Sequence, residues 1–530
     1  MKTKLLITVL FLPFFGFTQI SLLFDSNEAG GLNPAQGNPD NAIVFGSDLY
    51  FTSSDTNTSS RIYRTDGTMS GTELVRYAPS TTQNFVTLKP SWSIYTDANG
   101  DLQLAFTSHR ELTVGVYQYN KLVTGLDDSN FDEVNNASSV TLGELENIND
   151  RLYFLVSQSS VSRLNLSGTV ANIKSFTNSV TKLFAFNNML YMTADDGDDA
   201  GNELYVYDPV TNATYLVADI NQVLTGDFSN PNQTFGSDPD DFIEANGKLY
   251  FTADTGFGRK LCVLNGVTVS VISSTDEAEG MEILISGGIT YLILSADVNG
   301  SKRLVRVNTT DDTATLLSTN LLNPKEMTGF NGFIYFSAEG NDGIELYRTA
   351  GTTGSTGIVS NINASGDSNP TGFLEYDNAL YFGANNGVVG NELWSVDTSN
   401  TVALVEDFIV GPGSFSPQPF AVFNNKLYLN GMKGALEREL YIYQSQTLSN
   451  INYDITNIEI FPNPVENSFF FNGIHKDELI DVSIFDINGK HLKTYQKLQE
   501  HFSIEAFPSG VYVVKIQTFN RSYSRKIIKN

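Results

Sequence analysis

One short pattern keeps returning through this chain. GNELYVYD, residues 201–208, comes back almost letter for letter as GNELWSVD, residues 390–397. Looser relatives are RIYRTDGT from Arg61, GVYQYN from Gly115, SRLNLSG from Ser162 and KLCVLNG from Lys260. RLVRVNT from Arg303, IELYRTAGT from Ile344 and RELYIYQS from Arg438 complete the series. The central apolar residues, Ile62, Val116, Leu164, Leu204, Leu261, Leu304, Leu346, Leu393 and Leu440, make nine copies about 47 residues apart. A fixed period of that size restricts the fold to a propeller or a solenoid.

The surrounding residues choose between the two. In FIEANGKLYFTAD, residues 242–254, an apolar strand ends in Asn-Gly and a second strand, LYF, follows at once. Asn-Gly and Asn-Asn accept positive φ and make tight hairpins. LYF recurs at Leu49, Leu152, Leu249 and Leu380, with IYF at Ile334 and LYL at Leu427. A polar loop, the ELY-type strand, a short turn and a fourth strand complete the unit. Four antiparallel strands per unit is a propeller blade. The expected fold is all-β: a large propeller of eight to nine four-stranded blades, the irregular unit around Val116 leaving the count open. Leu204 and Val206 should face one neighbouring blade, and Tyr205 and Tyr207 the other.

The last unit lacks a fourth strand, and ISLLF, residues 20–24, looks like a fourth strand without its first three. Joining them would remove two exposed sheet edges. Glu203, Glu345, Glu392 and Glu439 recur with the repeat. A residue repeated blade after blade reads as scaffold, because one active site needs one constellation.

The units resemble the ELWxxDGT repeat family of secreted bacterial propellers. RIYRTDGTMSGTELV, IELYRTAGTTGSTGIV and NELWSVD carry the likeness over roughly residues 20–447. So does the loop before the first strand, as in GSDPDDF and GDSNPTGF. The resemblance implies a propeller and carries no catalytic residues to transfer.

The two chain ends differ from the middle. MKTKLLITVLFLPFFGFTQ has a basic start, a short apolar core and small residues at Gly16 and Thr18, so residues 1–18 read as a secretory signal peptide. The propeller would occupy 19–445 and a polar linker 446–457. Residues 458–530 read as a small Ig-like β-sandwich, its strands split by turns such as Asn488-Gly489 and Ser509-Gly510. This tail is similar to the type A C-terminal sorting domain of the Bacteroidota type IX secretion system. The matching positions are Pro462, Asn463, Pro464, Gly489, Lys490, Gly510, Tyr512, Arg525 and Lys526. The resemblance implies the secretion machinery as a partner, export through the periplasm, and an extracellular or cell-surface destination.

Charge narrows the ligands. The chain carries a formal charge of −27. From Ile458 onward nine Lys/Arg face eight Asp/Glu, so the acidity belongs to the propeller. Such a surface repels nucleic acid and anionic membranes. It suits cations or neutral partners. No long apolar run after the signal reads as a membrane span, and a monomer is expected.

Candidate chemistry is sparse. The propeller's only histidine is His109, too little for a histidine metal cluster or a Ser-His-Asp triad. Cys262, the chain's one cysteine, sits in an apolar strand pattern and reads as a core thiol. DANGD, residues 97–101, resembles the start of a calcium loop but has Leu102 where glycine is needed, so a hairpin turn is favoured. Trp92 reads as a core residue rather than a sugar platform. Asp195, Asp196, Asp198 and Asp199 are the better cation candidates, weighed against a plain solvated loop. No other cofactor is expected, and calcium there stays open. The favoured function is a non-catalytic module binding an extracellular glycan or protein through the acidic long-loop side. The alternative is a carboxylate-dependent glycan-cleaving enzyme, which needs only two well-placed carboxylates.

Overall fold

The computed structural model describes residues 20–24, 37–56, 59–75, 84–87, 91–113, 116–117, 121–125, 132–138, 140–226, 230, 233–432, 438–445, 459–472, 479–486, 490–496, 501–518 and 522–530. The expected signal peptide, the linker and Gly489 lie outside them. Two compact units divide between Ser445 and Gln446.

The first unit consists of four-stranded antiparallel blades. The most regular are Ser179–Phe186, Met189–Asp195, Glu203–Asp208 and Ala213–Ala218 in blade 4, and Thr371–Tyr376, Ala379–Asn385, Asn391–Asp397 and Val402–Glu406 in blade 8. Hairpin turns sit at the expected pairs: Asn187 and Asn188, Asn246 and Gly247, Asn331 and Gly332, and Asn424 and Asn425 all have positive φ. That is the backbone a two-residue hairpin with the strands' own twist requires.

Buried side chains form nine apolar clusters in this unit, each shared by two consecutive blades. Tyr205 and Tyr207 join Tyr153 and Leu155 of blade 3, whereas Leu204 and Val206 join Leu249 and Phe251 of blade 5. The alternation expected from the sequence is therefore the mechanism of blade stacking. The ninth cluster joins Phe423, Tyr428 and Leu440 of the last blade to Leu49, Phe51 and Tyr63 of the first. Among the described residues, nine blades with nine shared cores make a closed ring, which resolves the count left open by sequence.

Two features of the ring departed from the periodic reading. In blade 2 the third strand is Lys121–Gly125, paired with Leu102–Thr113, and not the segment at Val116. Leu122 and Val123 are fully buried there, and Val116–Tyr117 only extends the edge. Blades 5 and 6 share one long strand, Thr268–Ser286, the fourth of one and the first of the next.

Polar contacts reinforce the stacking on the short-turn side. Lys248 Nζ and Tyr250 Oη of blade 5 donate to the Asp312 carboxylate in a blade 6 turn, at 2.8 and 2.6 Å. Tyr335 Oη does the same to Asn400 of blade 8 at 2.8 Å. At the seam, Lys426 Nζ of blade 9 donates to Gly67 O of blade 1 at 2.9 Å. Gly67 has φ +92, and a Cβ there would sit 3.0 Å from Tyr428 Oη, so the turn in TDGT needs glycine on both counts.

The missing fourth strand of blade 9 is Ile20–Phe24. It pairs antiparallel with Arg438–Tyr443, Ile20 opposite Tyr443 and Leu22 opposite Tyr441. Ile20 is buried in the core between blades 8 and 9, and Leu23 in the core between blades 9 and 1. Ile20 N also donates to Glu406 Oε2 at 3.0 Å. Each buried aliphatic contributes roughly 1.5–3 kcal/mol. Removing Ile20–Phe24 is therefore expected to lower the melting temperature by several degrees or drive association through the bared edge of Arg438–Tyr443. Calorimetry with light scattering would check this, and an unchanged melt with an unchanged monomer fraction would refute closure by this strand.

The second unit is a β-sandwich. One sheet has Glu459–Phe461, Ser468–Asn472 and Phe502–Ser503; the other orders His491–Gln496, Leu479–Asp486, Gly510–Thr518 and Ser522–Lys529. Its core holds Val465, Phe469, Val482, Ile484, Phe502, Val514, Ile516 and Ile527.

Candidate functional site

The loops after the second strands and the links to the next blade emerge on one side of the propeller, and hydrogen bonds join them. In blade 4, Thr234 N donates to Asp199 O at 2.8 Å and Ser237 N to Asn202 O at 2.9 Å. Asn202 Nδ2 reaches Asp238 Oδ1 at 2.9 Å, and Asn230 Nδ2 reaches Asp199 Oδ1 at 2.6 Å. The insertion after Ala218 therefore rests on the acidic loop and does not hang free of it.

Those bonds decide what the four aspartates do. Asp195 accepts from Gly197 N at 2.8 Å and Asn178 Nδ2 at 3.0 Å. Asp196 pairs with Lys174 Nζ at 2.6 Å and accepts from Thr177 N at 3.1 Å. Asp198 accepts from the Tyr205 hydroxyl, and Asp199 from Asn230. The four carboxylates point at four separate sets of protein donors. Among the described residues, no group of three or more His, Cys, Asp or Glu is placed to hold a metal ion. DANGD is the hairpin turn of blade 2, where Asp97 Oδ1 accepts from Asn99 N and Asp101 N. Trp92 packs edge-on against Phe106 in the core shared by blades 1 and 2, its Nε1 donating to Asn41 O at 3.2 Å. Cys262 is buried, and burial pushes its thiol up to about 12, well away from a reactive thiolate. The side chain of His109 lies outside the described residues.

The repeated glutamates are buried completely or nearly so. Glu203 accepts from Ile220 N at 3.1 Å and Ser237 N at 3.0 Å. Glu345 accepts from Ile362 N at 2.8 Å and Ser368 Oγ at 2.6 Å. Glu392 accepts from Phe408 N at 3.1 Å and Phe415 N at 2.9 Å. In each case a carboxylate at the start of the third strand gathers amides from the link to the next blade. Burial pushes Glu203 and Glu392 up to about 7 and outweighs the opposite pull of these donors. Such a value suits a general acid, but these groups are enclosed by backbone and their role is to shape the loop side.

Two consequences can be measured. Glu203→Ala leaves the Ile220 and Asn221 amides and the Ser237 hydroxyl without their acceptor, at a cost of roughly 2–4 kcal/mol. Urea unfolding would read this directly. For pH, the folded pKa exceeds the unfolded one, so the native state holds the extra protons between about 4.5 and 7. Stability should fall as pH rises through that window and level off above it. The carboxylates held low in exposed turns, Asp66, Asp97, Asp208 and Asp311, titrate below it. A Glu203→Gln, Glu392→Gln double variant should be less stable but show a flatter slope.

Two residues escaped the sequence reading. Phe235 and Phe257 stand exposed on this same side. The available signal was a lone phenylalanine between glycines in TGFG, residues 255–258.

In the second unit the motif residues serve the last strand. Asn463 Oδ1 accepts from Ile528 N at 2.9 Å, and its Nδ2 donates to Lys526 O at 3.1 Å. Val465 N donates to Ile528 O, and Asn530 N to Val465 O. The segment between Pro462 and Val465 thus occupies the free edge of Ser522–Lys529. Lys490 closes a turn with Asp486, its amide 2.9 Å from Asp486 Oδ1. Tyr512 is buried and donates to Pro508 O at 2.6 Å, and a Cβ added to Gly510 would lie 3.9 Å from the Tyr512 ring. Arg525 is half-buried and Lys526 exposed on the terminal strand.

Comparison with known proteins agrees with this part of the reading. Residues 459–530 match the secretion system C-terminal sorting domain family. No curated protein matches the chain. Among solved structures it is similar to an extracellular domain assigned to a hybrid two component system of B. thetaiotaomicron, at 11% identity and TM-score 0.29, over 94% of this chain and 75% of that one. It is also similar to the β-propeller domain of the Trilobed protease from Pyrococcus furiosus, at 12% identity and TM-score 0.29, over 60% and 96%. A third is a Mycobacterium tuberculosis puromycin-hydrolyzing peptidase, at 11% identity and TM-score 0.37, of which the chain spans 60%. Likenesses this weak transfer no activity. Among the described residues no helix is long and apolar enough to cross a membrane.

Proposed function

We propose that this chain is a binding protein exported through the type IX secretion system, with the propeller's loop side presenting the ligand contacts outside the cell. The sorting domain at 459–530 carries the destination. What supports binding over catalysis is the state of the carboxylates. The buried glutamates that titrate near neutrality hold backbone amides, and the aspartates of the acidic loop are turned toward their own donors. A glycan-cleaving site needs two carboxylates facing one bond. Loops fixed on a rigid scaffold are where recognition resides, and here the fixing bonds are visible. The ligand class at this level is an extracellular glycan or protein, with no metal required.

Removal of the tail tests the destination. A chain ending near residue 457 should fold its propeller, keep its binding and remain in the periplasm of the native host. Fractionation with immunodetection would check this, and normal extracellular levels of the shortened protein would refute it. Binding itself is tested with immobilised glycans and surface proteins, alongside reducing-end release from polysaccharides. Release of reducing ends would replace this reading with the hydrolytic one.

A further inference from the structure

The insertion between blades 4 and 5 contains a small two-stranded ribbon. Phe235 N donates to Val223 O at 3.0 Å, Thr225 N donates to Gln233 O at 2.8 Å, and Leu224 bridges Thr234. Its base is fixed, since Val223 N donates to Asn221 Oδ1 at 3.2 Å and Thr234 N to Asp199 O at 2.8 Å. Beside it lies the blade 5 turn at residues 255–258. Thr255 N donates to Gly258 O at 3.1 Å, Gly256 N donates to Asp254 Oδ1 at 2.8 Å, and both glycines have positive φ. The two pieces touch: a Cβ on Gly256 would lie 2.3 Å from Val223 Cγ2.

This hydrogen-bonded frame holds apolar groups out in water. Phe257 is 83% exposed, Leu224 57% and Phe235 51%. Among the described propeller residues the exposed aromatics are Phe235, Phe257 and Tyr215, and two of the three stand on these two touching pieces. Contiguous exposed apolar surface marks interaction sites.

The described carboxylates of the rim outnumber its uncompensated cations. Glu277 Oε1 would lie 3.5 Å from a Cβ on Gly258, and Asp238 is exposed at the base of the ribbon. Of the nearby cations, two are paired with carboxylates, and Arg259 is held by neutral oxygens and keeps its charge. Arg259 donates to Thr252 Oγ1, Thr252 O and Asp238 O, Lys260 pairs with Asp276, and Lys302 pairs with Glu279. Phenyl and aliphatic groups offer no donor, and the rim offers carboxylates and carbonyls.

We propose that this ledge of Val223, Phe235 and Phe257 docks an extracellular protein segment that carries apolar side chains together with Lys or Arg; Leu224, paired with Thr234, alternates to the other face of the ribbon. The proposal rests on reading the propeller as a binding protein and narrows its ligand to protein. The argument for that choice is charge complementarity. Apolar side chains of the partner cover the rings, its cations meet the rim and the ring faces, and the chain's charge of −27 steers them in. A neutral glycan would use the ring faces without drawing on that field.

The test uses the full chain and three labelled probes: an Arg- and Leu-rich peptide, the same peptide with Glu for Arg, and a neutral glucan oligosaccharide. The Arg/Leu peptide should bind and weaken steeply with salt. Phe235→Ser and Phe257→Ser should each cost about 10-fold in affinity, with melting temperature unchanged because both rings are exposed. Val210→Ser, an exposed change on the short-turn side, should cost nothing. Equal peptide binding by the wild type and the double phenylalanine variant would overturn the ledge while leaving a binding protein. Phenylalanine-dependent, salt-insensitive binding of the glucan would make the ledge a sugar platform and overturn the protein ligand. Absence of peptide binding to the wild type would overturn the proposal, and failure across the wider glycan and protein panel as well would remove the binding reading beneath it.

Discussion

A blade with two apolar faces cannot stand alone, and that constraint governs the whole propeller. The third strand of blade 4 shows it in four residues. Leu204 and Val206 are buried against blade 5, and Tyr205 and Tyr207 against blade 3. Each blade exposes a core-quality surface until both neighbours are present, so stability accrues at the interfaces and the ring must close. Closure depends on five residues from the far end of the sequence, Ile20–Phe24, which supply Ile20 and Leu22 to one of the last two interfaces and Leu23 and Phe24 to the other. The seam is secured again by Lys426 and Gly67 on the short-turn side.

The same constraint explains why an acidic protein spends so many carboxylates on itself. Stacked blades leave links to be threaded across one side, and each link brings backbone amides that lose water. The buried glutamates answer that need. A carboxylate offers several acceptor positions at one point, so Glu203 can gather amides from both ends of a long insertion. The cost is a buried charge, visible as a pKa pushed up to about 7. The asparagines and aspartates of the surrounding loops complete the lattice, which makes the loop side a fixed surface on which exposed groups keep their positions.

How much of this could be read from sequence depended on whether the signal was local. The repeat, the Asn-Gly turns and the alternating faces are local, and they led to the blade, the stacking and the closing strand. Blade 2 failed because the periodic pattern favoured GVYQYN, whereas packing chose KLVTG, where Leu122 and Val123 fill the core. The long strand Thr268–Ser286 was hidden because a polar run, STDEAEG, reads as a loop between blades. The acidic loop was recognised as a loop, yet its aspartates could not be assigned. Their partners Lys174, Asn178 and Asn230 lie on other elements, with no sequence signal joining them. Phe235 and Phe257 were overlooked for the same reason: twenty-two residues apart in sequence, they are joined through Val223.

The sorting unit poses a different physical problem, because its last strand is a sheet edge at the end of the chain. Such a strand pairs on one side only, with Gly510–Thr518, and a free edge invites fraying or association. Asn463 removes that freedom by mimicking a strand partner: its side-chain amide gives one donor and one acceptor to Lys526 O and Ile528 N. The flanking Pro462 and Pro464 have no N–H to leave unpaired, so they suit a segment that joins an edge through the Asn463 side chain and the Val465 backbone. The motif residues are therefore coupled across more than sixty positions of sequence, from Asn463 to Ile528. The terminal strand, with Lys526 exposed and Arg525 half-buried on it, gains a second set of partners from the start of the unit. The position of Ser522–Lys529 is thus held from both sides, by Gly510–Thr518 and by the segment around Asn463 and Val465.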